Sequence, residues 1–217
     1  SMERGYHQNQ EFLKFKTAKS QKKYKNLDVI VLTESELQAL KDLDLSNNKR
    51  LEQVRDLFVF CVHTGQRWSD IERFETSQIQ GEDWIFVAQK TRKKTEIPLV
   101  GFGKPAYEVL KKYDFKLPLI SSQKFNDYIK EVAKLAGIDS EITVTRFAGT
   151  SRIQISKPKY EFIASHTARR TCVTLLLAKG VAPNIIMKLT GHTDIETLMK
   201  YINVHSQDLK SAFLNIE

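Results

Sequence analysis

Ser165-His166-Thr167-Ala168-Arg169-Arg170-Thr171-Cys172-Val173-Thr174-Leu175-Leu176-Leu177-Ala178-Lys179-Gly180 has a polar head and an apolar body, the pattern of a helix that buries most of its length. Ser165 is the expected N-cap, because its hydroxyl can accept a first-turn amide, and Gly180 is the expected stop, because glycine readily enters the left-handed conformation that ends helices. His166 and Arg169 stand three residues apart at the head and so share one face, where unpaired amides and the helix dipole favour anions. Alone, this pair reads more readily as a solvent-facing surface pair than as a phosphate site.

Working outward from that helix, Pro183 opens another reaching about Leu189, Gly191-His192 follows its end, and short helices are expected over Asp194–Tyr201 and Ser206–Leu214. Upstream, Thr33-Glu34-Ser35-Glu36 offers a capping box for a helix to about Leu45. Leu51, Val54, Leu57, Phe58, Cys61 and Val62 recur at helical spacing before Gly65, so Arg67 falls just past a strongly apolar helix. Ser69 is placed to cap a short helix through Phe74. Trp84–Val87 and Thr95–Leu99 read as strands joined by a basic turn from Lys90 to Lys94, with Pro98 marking an edge. Helices are expected over Lys104–Tyr113 and Ser122–Ala136, and a second hairpin over Ile142–Phe147 and Arg152–Ser156. The fold class is therefore mostly α with small antiparallel β-hairpins, an α+β domain whose strands are too few for a large sheet.

The chain has 217 residues, 41% of them apolar and 28% charged, which suits one globular domain with a peripheral extension. Residues 1–28 are polar and lysine-rich (Lys14, Lys16, Lys19, Lys22, Lys23, Lys25) and read as a basic arm or linker; 29–217 form the domain. No apolar run approaches the roughly 18 residues of a membrane span, and no signal peptide opens the chain, so a cytoplasmic protein without a membrane partner is expected. Cys61 and Cys172 sit in apolar helical patterns and read as reduced core residues rather than a disulfide. Net charge is +8, from 34 basic and 26 acidic residues, which suits a polyanionic partner without identifying one. Neither carboxylates nor His and Cys residues cluster at metal-ligand spacing, so no metal or other cofactor is expected.

The remaining candidates are ambiguous one at a time. Arginine suits a phosphate because its planar fork offers parallel donors and stays charged, yet Arg67 can equally pair with Asp70. A turn lysine such as Lys90 is more often simply solvated, and a tyrosine placed like Tyr201 more often packs than reacts.

In order, these elements are Thr64-Gly65-Gln66-Arg67-Trp68-Ser69-Asp70; a hairpin lysine followed by Ile97-Pro98-Leu99; His166-x-x-Arg169 at a helix start; Gly191-His192; and Tyr201 nine residues later. Together they resemble the catalytic signature of the tyrosine recombinase (phage integrase) family, from about Thr33 to the C-terminus. Ser165–Thr171 and Leu189–Tyr201 resemble most the integrases of Bacteroides-type mobile elements. The resemblance implies the tyrosine recombinase catalytic-domain fold and a site-specific recombinase that cleaves and rejoins double-stranded DNA without metal or ATP. It also implies roles: Tyr201 attacks a phosphodiester to give a 3′-phosphotyrosyl link, and Arg67 and Arg169 hold the phosphate. His166 takes the tyrosine proton, Lys90 protonates the leaving 5′-oxygen, His192 hydrogen-bonds the phosphate, and Asp70 orients Arg67. Lys93 and Lys94 share the turn and stand as alternatives to Lys90; otherwise they join Arg92 as DNA contacts. Four protomers on two DNA sites are implied, linked through residues after Tyr201 such as Leu209, Phe213 and Leu214.

Family members clamp DNA with an additional N-terminal core-binding domain. With 66 residues before Arg67, that domain is expected to be absent here, and DNA binding is expected to be weak and salt-sensitive. The alternative readings are a type IB topoisomerase, which reseals the original strand, and an inactive DNA-binding regulator.

Overall fold

The computed structural model describes residues 29–148, 151–196 and 198; the arm, Tyr201 and the residues after it lie outside these. Helix α1 spans Glu34–Asp42 and opens with the expected capping box, in which Thr33 Oγ1 accepts the Glu36 amide and the Glu36 carboxylate accepts the Thr33 amide. It ends before Leu45 because Leu43 is already extended. Helix α2, Lys49–Thr64, is capped by Asn48 and stopped by Gly65 at φ +65°. Its second half is buried all round, from Asp56 through Thr64, which makes it the axis of the domain. Helices α4 (Lys104–Lys112), α5 (Ser122–Leu135) and α6 (Ser165–Ala178) pack around it.

Between α2 and α4 lie the short α3 (Trp68–Ile71) and a three-stranded sheet in order β1 (Ile79–Gln80), β2 (Asp83–Val87), β3 (Lys94–Pro98). Trp84 pairs with Ile97 and Phe86 with Thr95, so these four side chains face inward; Phe60 and Phe74 pack on Trp84. β3 is an edge strand, as Pro98 requires. β1 went unread because two residues carry no periodicity. The cap assigned to Ser69 is also wrong: Arg67 is the extended N-cap residue, and Ser69 lies inside the turn.

The second hairpin runs longer than expected, as β4 (Glu141–Ala148) and β5 (Ser151–Pro158). Within it Thr143–Ser156 belong to a separate compact unit, and the Thr143 and Ser156 hydroxyls meet at 2.7 Å. Helix α7 spans Pro183–Thr190 and ends at Gly191, φ +64°. The two helices expected beyond it fall largely outside the described residues, among which no helix is long and apolar enough to cross a membrane. Cys61 and Cys172 are free and buried, as expected.

His63 is the axial residue with the clearest consequence for stability. Its Nδ1 donates to the Phe102 carbonyl at 2.7 Å, while Nε2 is buried without a partner. Burial lowers its pKa to about 4, against the Phe102 bond and with help from Lys41. The unfolded ring takes its proton near 6.5, so stability from this residue is present above about pH 6.5 and is lost as pH falls from there toward 4. Urea midpoints measured from pH 7 to 4.5 should fall, with His63 contributing a slope of up to about 1.4 kcal/mol per pH unit. A His63→Leu variant should give a flatter profile, and an unchanged slope in that variant would contradict this assignment.

Candidate active site

The site grows from the end of α7. A helix leaves its last carbonyls without intrahelical donors, and here three consecutive ones are met by side chains from elsewhere. Leu189 O accepts from Gln66 Nε2 at 2.9 Å, Thr190 O from Arg169 Nη2 at 2.6 Å, and Gly191 O from Arg67 Nη2 at 3.3 Å. Two of the three donors are cations, which the negative end of the helix dipole favours. The loop after α2 is thereby tied to a helix more than a hundred residues later.

Arg169 is 1% exposed and also gives Nη1 to Gly65 O at 2.9 Å, so one guanidinium joins α6, the end of α2 and the end of α7. Gly65 must be glycine on two counts. Its φ is positive, and an added Cβ would stand 2.7 Å from Cys172 Sγ and 3.3 Å from Thr190 Cγ2. Gly65→Ala is therefore expected to destabilise the domain by about 2 kcal/mol and to push the Gly65 carbonyl off Arg169. Pairing it with Cys172→Ala should recover part of that loss in urea unfolding, because only the contact is relieved; no recovery would show that the clash is not the cause.

His166 and His192 complete the cluster. His192 lies after Gly191, with Nε2 3.3 Å from Arg169 Nη2 and Nδ1 2.7 Å from Thr190 Oγ1. His166 is exposed on the first turn of α6. The cap expected at Ser165 is instead Ala164, which is extended and gives its amide to Thr167 Oγ1 at 3.1 Å; Ser165 is already helical and bonds Asn126 on α5. Where the ring faces the protein, loss of hydration and then the charges of Arg170, Arg169, Arg67 and Lys90 lower the His166 pKa to about 4. Loss of hydration, then Arg169, Arg67 and His166, do the same for His192, also to about 4. Both rings are thus neutral at pH 7 in surroundings rich in positive charge. Burial pushes the nearby Cys172 thiol up to about 12, against the pull of Arg169, so it stays protonated.

The turn between β2 and β3 is closed by Ala88 N to Lys93 O at 2.9 Å and Arg92 N to Ala88 O at 2.8 Å, with Arg92 left-handed at φ +55°. Lys90, Arg92, Lys93 and Lys94 are all exposed. Of the three lysines, Lys90 is the one whose charge acts on the His166 ring. Asp70 departs from expectation. It is 3% exposed, its Oδ1 accepts the Gln89 amide at 2.8 Å, and its Oδ2 is buried without a partner, so neither oxygen bonds Arg67. Arg67 reaches forward to the end of α7, whereas α3 turns Asp70 back toward the hairpin. Arg67, His166, Arg169 and His192 therefore come together, and Asp70 ties the Lys90 turn to the same frame.

Sequence reading missed Gln66, Gln89 and Thr190, which connect these parts. Thr190 was the most findable, as a threonine directly before the Gly-His pair. Among the described residues no group of three His, Cys, Asp or Glu side chains stands close enough to hold a metal ion.

The fold is that of tyrosine recombinase catalytic domains. XerA recombinase superposes with a TM-score of 0.60 over 85% of this chain and 62% of that one, at 16% identity. The catalytic domain of bacteriophage HP1 integrase gives 0.54 over 87% and 96%, at 20% identity. A lambda integrase tetramer bound to a Holliday junction gives 0.57 over 92% and 54%, at 18% identity. Residues 30–208 match the phage integrase family, and the chain belongs to it. The integrase of Haemophilus phage HP1 is 24% identical over 185 residues, 82% of this chain and 47% of that protein, so the chain spans about half the length of this curated relative.

Proposed function

We propose that this chain is the strand-cleaving domain of a site-specific DNA recombinase that works through a covalent phosphotyrosine. The observation carrying the proposal is the cluster of two arginines and two neutral histidines, assembled on the frame of α2, α6 and α7 from residues far apart in sequence. In this reading the Tyr201 hydroxyl attacks phosphorus and the bond to the 5′-oxygen breaks. The product is a 3′-phosphotyrosyl link that conserves the bond energy for rejoining without ATP. Arg67 and Arg169 stabilise charge on the non-bridging oxygens, the larger part of catalysis in phosphoryl transfer. His166 accepts the tyrosine proton, a role that needs the neutral ring favoured by its depressed pKa. His192 faces the phosphate, and Lys90 delivers a proton to the leaving 5′-oxygen. Its electrostatic reach to His166 favours it over Lys93 and Lys94, which join Arg92 in holding the DNA backbone. Tyr201 takes its role from its order after Gly191-His192.

Asp70 enters this scheme by fixing the backbone next to Lys90 rather than by orienting Arg67. Asp70→Ala should slow cleavage of ordinary DNA by about tenfold or more and recover on a substrate with sulfur at the 5′-bridging position, whose better leaving group needs no acid. Asp70→Asn, which keeps an acceptor for the Gln89 amide, should be milder. A defect that sulfur does not relieve would assign Asp70 to phosphate binding instead.

The wider assignments follow from the same reading: a cytoplasmic protein of a mobile element of the Bacteroides type, four protomers on two DNA sites, and residues 1–28 as a basic arm on the catalytic domain of 29–217. Trapping on a nicked duplex carrying the element's end sequence tests the proposal. The short cleaved strand diffuses away, religation fails, and a protein–DNA adduct that survives denaturation accumulates; its absence would contradict the assignment.

A further inference from the structure

Two independent contacts fix the proton on the His192 ring. Thr190 closes α7 and donates its hydroxyl back to Ile186 O at 2.6 Å, a bond typical of a helical threonine. That commits its single hydrogen, so Oγ1, 2.7 Å from His192 Nδ1, can only accept there, and Nδ1 must carry the proton. On the other side, Arg169 Nη2 stands 3.3 Å from Nε2, and a guanidinium has no lone pair to offer, so Nε2 must be the acceptor. Reversing the ring's tautomer would set N–H against N–H at Arg169 and release the Thr190 bond at once.

We infer that Thr190 is a positioning residue that holds His192 as the Nδ1–H imidazole, so that Nε2 can donate to a bound anion only by taking up a proton. The second half rests on the reading of this cluster as a phosphate site. Without an anion, loss of hydration first, and then the charges of Arg169 and His166 from α6 and Arg67 from the loop after α2, keep the ring neutral, in agreement with its low pKa. A phosphate or sulfate oxygen competes with Nε2 for the Arg169 donor and supplies the opposite charge. As pH falls toward the raised pKa, a solvent proton bonds to Nε2, which changes from acceptor to donor, and Nδ1–H stays on Thr190. In this way Thr190 makes anion binding tighten as pH falls toward the ring's pKa.

The test uses the DNA-free protein with 15N-labelled histidine, His192 being assigned by the signals lost in His192→Gln. At pH 7 the ring should show the Nδ1–H tautomer. Thr190→Ser should keep it, and Thr190→Val, of nearly the same shape, should shift population toward Nε2–H; the remaining amide signals report whether each variant is folded. In sodium sulfate, against sodium chloride at equal ionic strength, the His192 pKa should rise by about one unit or more. An Nε2–H ring in the wild-type protein, or a tautomer indifferent to Thr190→Val in a folded variant, would overturn the inference about Thr190. A pKa equal in the two salts would overturn proton uptake. None of these readouts involves DNA cleavage, so failure of the recombinase reading would show separately, as absence of the covalent adduct.

Discussion

Replacing Arg169 by lysine is expected to slow strand cleavage by about 100- to 1,000-fold, although charge is retained. The guanidinium sends Nη1 to Gly65 O and Nη2 to Thr190 O and His192 Nε2, three directions that its planar fork spans and that one ammonium on a flexible stem does not reproduce. Two carbonyls at helix ends then lose a partner in a nearly dry environment, and a charge already 1% exposed must find new ones. A stability loss of about 2–3 kcal/mol should therefore accompany the kinetic loss. Single-turnover cleavage and urea unfolding, both at pH 7, separate the two effects. A rate within about threefold of wild type would show that Arg169 frames the site without contributing to the reaction.

The linkage of site to frame explains which parts of the protein were legible in its sequence. Local rules sufficed where one residue type answers one backbone demand: Gly65 and Gly191 at left-handed helix ends, Thr33 with Glu36 at a helix start, Pro98 on an edge strand. The mostly α class followed from such signals, whereas the ordered set of site residues followed from the resemblance to the tyrosine recombinase family. The Ser165 cap was misread because Thr167, two residues on, meets the Ala164 amide from inside the first turn, an arrangement that the usual serine-first pattern does not reveal. Asp70 was misread for a different reason. Adjacency in the Thr-Gly-x-Arg-x-Ser-Asp stretch suggested a pair with Arg67, but a single helical turn sends the two side chains to different elements, one to Gly191 O and the other to the Gln89 amide. Gln66 and Thr190 act through carbonyls and a ring nitrogen whose positions depend on the packing of α2, α6 and α7, and no periodicity encodes such partners.

Tyr201→Phe removes one oxygen and should abolish the covalent adduct on nicked DNA, leaving fold and DNA affinity close to wild type. The expected loss is complete because phenylalanine has no atom that can attack phosphorus, whereas the cation cluster around the phosphate is untouched. With Arg67, Arg169 and both histidines intact, the variant should still bind duplex DNA, with an affinity that falls steeply with added salt. The most direct measurement is therefore adduct formation by wild type and Tyr201→Phe side by side on the nicked substrate, with the attached peptide mapped by mass spectrometry. The account predicts an adduct on the wild-type peptide containing Tyr201 and none in the variant; an adduct that persists in Tyr201→Phe, or maps to another residue, would contradict it.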